Sequence, residues 1–194
     1  MHSSLGLNQF FVKEQVGVLK ASNSYDIFDP ATEQKVLECR EPNLGLLAKA
    51  FRFSEYKRNT PFNIEVRTPE GAKVLSVRKG LSIFLSKVDV LDENDNVVGR
   101  FRQKFSLGGK FVVIDSEEKI VCTLQGKWAS WNYRFLQGDT ELASVSKKWA
   151  GLGKELFTSA DNYMLSISSE IDAEDPIRLL IVAAVMCFDM VLKE

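Results

Sequence analysis

A closed, mainly antiparallel β-barrel around a buried hydrophobic C-terminal helix is the fold that three features of this 194-residue sequence predict. About twelve short runs of alternating polarity fill residues 10–168, turn residues separate most of them, and the chain finishes on an apolar segment from Pro176 to Leu192. Period-two alternation marks strands with one buried face, and many short strands at regular spacing suggest a sandwich or a barrel. A helix without a polar face must be surrounded on all sides, and about twelve strands can close around a helix roughly 10–12 Å across. Closure also leaves no sheet edge to protect.

In chain order, the strand-like runs are Phe10 to Lys20, Ser24 to Asp29, Gln34 to Arg40, Phe62 to Thr68, Lys73 to Val77, Ser82 to Leu91, Val97 to Lys104, Lys110 to Asp115, Lys119 to Gln125, Trp131 to Gln137, Glu141 to Lys148 and Asp161 to Ser168. Pro69-Glu70-Gly71, Asp92 to Asn96, Gly108-Gly109, Ser116 to Glu118 and Gly138-Asp139 supply the reversals, being rich in residues that suit tight turns. Asn43 to Phe53 departs from this rhythm: it follows Pro42, has helical spacing and leads into the basic stretch Tyr56 to Pro61, so a short helix over one end of the sheet is expected. Successive hairpins look alike, yet no fixed-period repeat is strong enough for a propeller or solenoid.

The terminal segment carries charges only at Arg178 and Asp189. As a helix it spans roughly 25 Å, short of the roughly 30 Å hydrocarbon core of a bilayer, which favours burial in protein. Glu170, Asp172, Glu174 and Asp175 precede Pro176, offering a cap, a favourable dipole environment and proline at the helix start. Arg178 and Asp189 stand at the ends that the helix dipole disfavours, so each is expected to find a partner at a barrel rim.

With 45% hydrophobic residues and five prolines, residues 1–194 read as one globular domain able to bury a sizeable core. A net charge of −1 provides no general attraction to nucleic acid, and no nucleic-acid partner is expected. Cys39, Cys122 and Cys187 are odd in number and far apart, which fits reduced core thiols; with no secretory signal at Met1 to Asn8, the expected location is the cytoplasm. The single histidine, His2, falls in a terminus expected to fray, arguing against Ser-His-Asp and Cys-His catalysis and ruling out multi-histidine metal sites. No enzyme, no metal and no cofactor are therefore expected.

One stretch suggests binding chemistry. Arg100, Arg102 and Lys104 alternate with Phe101 and Phe105, so three cations should face outward as one stripe while the rings face inward. Such a stripe suits anionic lipid headgroups, at about 1 kcal/mol per basic residue near a charged membrane, or it is an ordinary solvated strand face. Lys147 and Lys148 are further candidates, and Arg78-Lys79 and Lys57-Arg58 would enlarge the patch if the fold gathers them. Trp128, Trp131 and Trp149 suit either core and rim packing or a lipid interface.

The run Lys148 to Tyr163, KWAGLGKELFTSADNY, followed by the terminal helix with Cys187-Phe188-Asp189-Met190, closely resembles the C-terminal end of phospholipid scramblases. The opening Phe10 to Gly17, with Tyr25 to Asp29, is similar to the start of scramblase-related and LURP-one-related proteins. This resemblance covers nearly the whole chain and implies the tubby C-terminal-like fold, a closed barrel around a hydrophobic helix. It implies phospholipid movement or phosphoinositide binding at the barrel surface, so the expected partner is anionic phospholipid or a membrane surface, with a soluble protein-interaction or regulatory module as the alternative. The proline-rich extension and cysteine cluster of animal scramblases have no counterpart here, so peripheral contact is expected over stable anchoring. The segment that scramblases are proposed to use for calcium corresponds to Ser159 to Glu170. Asp161 and Glu170 match in character, but Ser159 replaces the first acid and Met164 a central glycine, so strand plus helix cap is expected instead.

Overall fold

The computed structural model describes residues 2–15, 24–42, 61–80, 87–104, 110–127, 132–147 and 162–192. Twelve strands form the expected closed barrel: β1 (Gln9–Glu14), β2 (Tyr25–Phe28), β3 (Lys35–Arg40), β4 (Phe62–Arg67), β5 (Lys73–Lys79), β6 (Lys87–Leu91), β7 (Val97–Lys104), β8 (Lys110–Asp115), β9 (Ile120–Lys127), β10 (Asn132–Gln137), β11 (Thr140–Ser146) and β12 (Asn162–Ile167). Each pairs antiparallel with its neighbours in sequence, and β1 closes the ring against β12. The segment Asn43 to Phe53, the Gly108-Gly109 turn and the three tryptophans lie outside the described residues.

Register explains the single inner face. Val12 stands opposite both Tyr163 and Ile27, Cys39 opposite Val66, Val88 opposite Phe101, Phe101 opposite Val113, and Val145 opposite Leu165; all are buried. Because side chains alternate at period two, these pairings put one apolar set from every strand on the inside. The strand β5 runs to Lys79, past the expected end at Val77, because Lys79 also faces in: it is buried, with its ammonium 5.9 Å from the Phe62 ring centroid. The expected boundaries Val97 to Lys104 and Lys110 to Asp115 match β7 and β8 residue for residue.

The helix α1 (Ile177–Leu192) fills the barrel. Every residue from Arg178 to Met186 is buried, in keeping with a helix that has no polar face. It packs against β5, β6, β7 and β12. Gly99 on β7 is required for that approach: a Cβ there would fall 2.7 Å from Leu180 Cδ2 and 2.6 Å from the Ile114 carbonyl oxygen. Asp175 caps the helix, its Oδ1 accepting from the Ile177 N–H at 2.9 Å, as the acidic approach to Pro176 predicted.

The two ends of the barrel differ. At the end where α1 begins, five hairpins turn tightly, and each contains one residue in the left-handed region: Glu33 (φ 57), Gly71 (φ 94), Asp95 (φ 67), Glu118 (φ 64) and Gly138 (φ 59). Each is accompanied by a register shift in the adjoining strand pair, at Ile27/Phe28, Val66/Arg67, Val90/Leu91, Val113/Ile114 and Phe135/Leu136. Asp29, Asp92 and Asp115 stabilise three of these turns by accepting backbone N–H groups two residues on, at 2.8, 2.9 and 2.9 Å. At the opposite end the strands run into segments that lie largely outside the described residues.

The N-terminus does not fray as expected. Ser3–Leu5 form a 3-10 turn, Leu5 is fully buried, and Arg178 holds the segment. The Arg178 guanidinium donates to the Leu7 carbonyl at 2.9 Å, Asn8 Oδ1 at 2.7 Å, the Ile171 carbonyl at 2.7 Å and the Asp172 carbonyl at 2.7 Å. Arg178 therefore has the rim partners expected of it, and they tie the start of the chain and the approach to α1 onto the helix. The Asp189 side chain lies outside the described residues.

Candidate anion-binding face

The alternation that predicted an outward basic stripe on β7 holds: Phe101 is buried while Arg102 and Lys104 are exposed. Its members are not equivalent. Arg100 is four-fifths withdrawn from solvent, pairing with Asp89 at 3.1 Å and with Glu118. Arg102 is more open and lies 3.6 Å from the same Glu118. Glu118, at the left-handed position of the β8–β9 turn, reaches both. Lys104, at the far end of the strand, has no ion-pair partner among the described residues.

Strand pairing then adds two cations that sequence reasoning missed. Lys87 on β6 stands directly opposite Arg102, and Lys110 on β8 directly opposite Lys104. Both are exposed, and neither has an acidic partner among the described residues. Four cations, Lys87, Arg102, Lys104 and Lys110, thus share the outer face of three adjacent strands at the end opposite the helix start. Like charges directly across a ladder are destabilising, by a few tenths to about 1 kcal/mol per pair. Glu118 offsets part of that cost at Arg102, and no described acid offsets it at Lys104 and Lys110. The only signal in the sequence was that Lys87 and Lys110 begin strands next to the stripe, which becomes readable once the register is known.

Of the other expected members, those among the described residues do not join this face. Lys147 follows β11, four strands away around the barrel, with its ammonium 5.6 Å from the Tyr163 ring centroid. Lys148 and Lys57-Arg58 lie outside the described residues. Arg78 turns to Asp95 at 2.5 Å, and Lys79 points into the barrel. No convergence of all the basic pairs therefore forms among the described residues.

The segment Ser159 to Glu170 is described only from Asn162 on. Tyr163 to Ile167 belong to β12, with Met164 paired to Phe11, and Asp92 to Asn96 form a hairpin turn; no group of three potential ligands gathers among the described residues. Asp161 lies outside them. The two described thiols are buried: desolvation pushes Cys39 far up and Cys122 up to about 12, which keeps both protonated and poor nucleophiles. Cys39 instead packs its sulfur 3.0 Å from that of Met186 on α1.

Comparison with known proteins agrees with this architecture. An X-ray structure of a protein from Arabidopsis thaliana superposes with a TM-score of 0.53 at 12% sequence identity, covering 92% of this chain and 91% of that one, which is a likeness of fold. No curated protein matches the sequence. The sequence model of the Scramblase family matches residues 11–194, nearly the whole chain, and the twelve-stranded barrel around a C-terminal helix fits the tubby-like scramblase fold. This chain belongs to the Scramblase family.

Proposed function

We propose that the chain acts as a single, non-enzymatic barrel domain that meets anionic phospholipid headgroups at a membrane surface, peripherally and from the cytoplasmic side. The observation that supports it most is the pair of like-charge cross-strand contacts, Lys87 with Arg102 and Lys104 with Lys110, on one exposed face. Phosphate groups would relieve that repulsion, and each cation near a negatively charged surface contributes about 1 kcal/mol. Family membership is consistent with association with lipid. No described helix is long and apolar enough to cross a membrane, so the reading relies on surface contact.

Co-sedimentation with vesicles tests it. Binding should require anionic lipid and weaken with added salt, since exposed charges are screened. Lys87→Ala and Lys104→Ala should each lower the partition coefficient about fivefold, corresponding to about 1 kcal/mol per cation. Arg100→Ala should change it little, because Asp89 and Glu118 already neutralise that charge. Equal pelleting with neutral and anionic vesicles would sink the proposal.

A further inference from the structure

A second feature lies at the other end of the barrel. The first turn of α1 stands apart from the β8–β9 and β10–β11 turns. A cavity of about 940 Å³ occupies that space, entered beside the first turn of the helix. Its floor is apolar: Val97, Val98, Val121, Leu142, Ile177 and Leu180. Val97 is 41% exposed there, one of the two large hydrophobic side chains among the described residues that stay in solvent.

The rim has one sign. Glu93, Glu117, Glu141, Glu170, Glu174 and Asp175 surround the opening, and no lysine or arginine lines it among the described residues. Part of this acid has local work. Asp175 caps α1, Glu117 pairs with Lys119 at 2.5 Å, and Glu141 approaches Arg134 at 3.9 Å. Glu93 and Glu170 are exposed and have no ion-pair partner among the described residues. Arg178 lies nearby but is buried and spent on carbonyl oxygens and Asn8, so it cannot neutralise the opening from outside.

We propose that this cavity docks a basic, partly apolar peptide segment of a partner protein. An apolar floor under a carboxylate rim matches the build of lysine and arginine side chains, whose aliphatic stems lie on hydrophobic surface while their heads seek anions. Interspersed leucine-like residues fill the floor between them. The size lies within the range of about 300–1,000 Å³ typical of preformed binding sites. An anionic membrane is the wrong partner for this end, because its phosphates would face the same carboxylates. This proposal is independent of lipid contact, which concerns the opposite end of the barrel.

The probe is a short fluorescein-labelled peptide of alternating lysine and leucine, read by anisotropy at low salt, with two relatives in which serine replaces leucine or glutamate replaces lysine. The Lys-Leu peptide should bind the wild-type protein, and both relatives at least about tenfold more weakly. The double variant Glu93→Lys with Glu170→Lys should lose binding by a similar factor, while Lys87→Ala with Lys104→Ala should keep it. Val97→Ser, checked for an unchanged fold, should weaken the Lys-Leu peptide and leave the Lys-Ser peptide unchanged. Equal binding of the Lys-Leu and Lys-Ser peptides means diffuse charge attraction only and overturns the proposal, as does undiminished binding by a folded Glu93→Lys, Glu170→Lys protein. Amide chemical-shift changes confined to Val97, Val121 and Ile177 support it; changes confined to the loop end refute it.

Discussion

The two ends of the barrel are built from the same twelve strands yet solve different problems. Where α1 enters, five tight turns, the Arg178 cluster and the Asp175 cap close the structure, and carboxylates dominate the rim. At the opposite end exposed cations face each other across β6, β7 and β8, Lys87 with Arg102 and Lys104 with Lys110. A net charge of −1 does not reveal these local groupings. The entry end ties many of its polar groups into turns and caps, while Lys87, Lys104 and Lys110 at the other end have no acidic partner among the described residues.

If the entry end is what locks the helix in place, its most damaging single change is Arg178→Ala. It leaves the Leu7, Ile171 and Asp172 carbonyls without their donor in a dry interior, and breaking such a buried charged network costs about 3–5 kcal/mol. Urea denaturation should register that loss, and hydrogen exchange should show Leu5 to Asn8 losing protection before the loop-end strands. Uniform loss over the whole barrel would mean that the two ends are not distinct.

A smaller effect is expected where the helix meets β7. Gly99→Ala places a methyl between Leu180 and the Ile114 carbonyl, and overpacking of this kind costs about 1–3 kcal/mol. Calorimetric melting should move down. An unchanged melting temperature would show that the helix can shift away from β7, toward the cavity, without penalty.

The smallest effect concerns acid. Asp95 lies below the usual carboxylate range because Lys73 donates to it and Arg78 stands beside it, while slight desolvation works in the other direction. Asp92 is lowered as well: desolvation pushes it up, but the Asn96 side chain, the Asn96 and Asn94 N–H groups and Lys73 together outweigh it. A depressed folded pKa means that the stabilisation is present at neutral pH and is lost as pH falls through that value, below the ordinary figure of about 3.9. Asp95→Asn, which still tolerates the left-handed backbone at this turn, should melt earlier than wild type at about pH 7 and together with it at about pH 2. A gap that persists in acid would assign the effect to turn geometry over charge.

The outcome for the candidate site shows what a linear reading can reach. Arg102 and Lys104 were correctly placed on the outer face, since alternation is a property of one strand. Arg100 was placed on that face too, but nothing in its neighbourhood in sequence announces Glu118, eighteen residues on, as the group that neutralises it. Lys147 looked equivalent to Lys104 in sequence and proved to be four strands distant.

The sequence by itself determined the strands, most of the turns, the buried helix and its acidic cap, because each depends on periodicity or on side chains within a few residues. Tertiary structure alone decided which charges are spent and which remain available. Arg178 is satisfied by the Leu7 carbonyl 171 residues earlier, while Lys87 and Lys110 become neighbours of Arg102 and Lys104 only through the register of three strands. Electrostatic interactions act over ångströms of space, and in a closed barrel those distances are set by strand order and register, which no local pattern encodes.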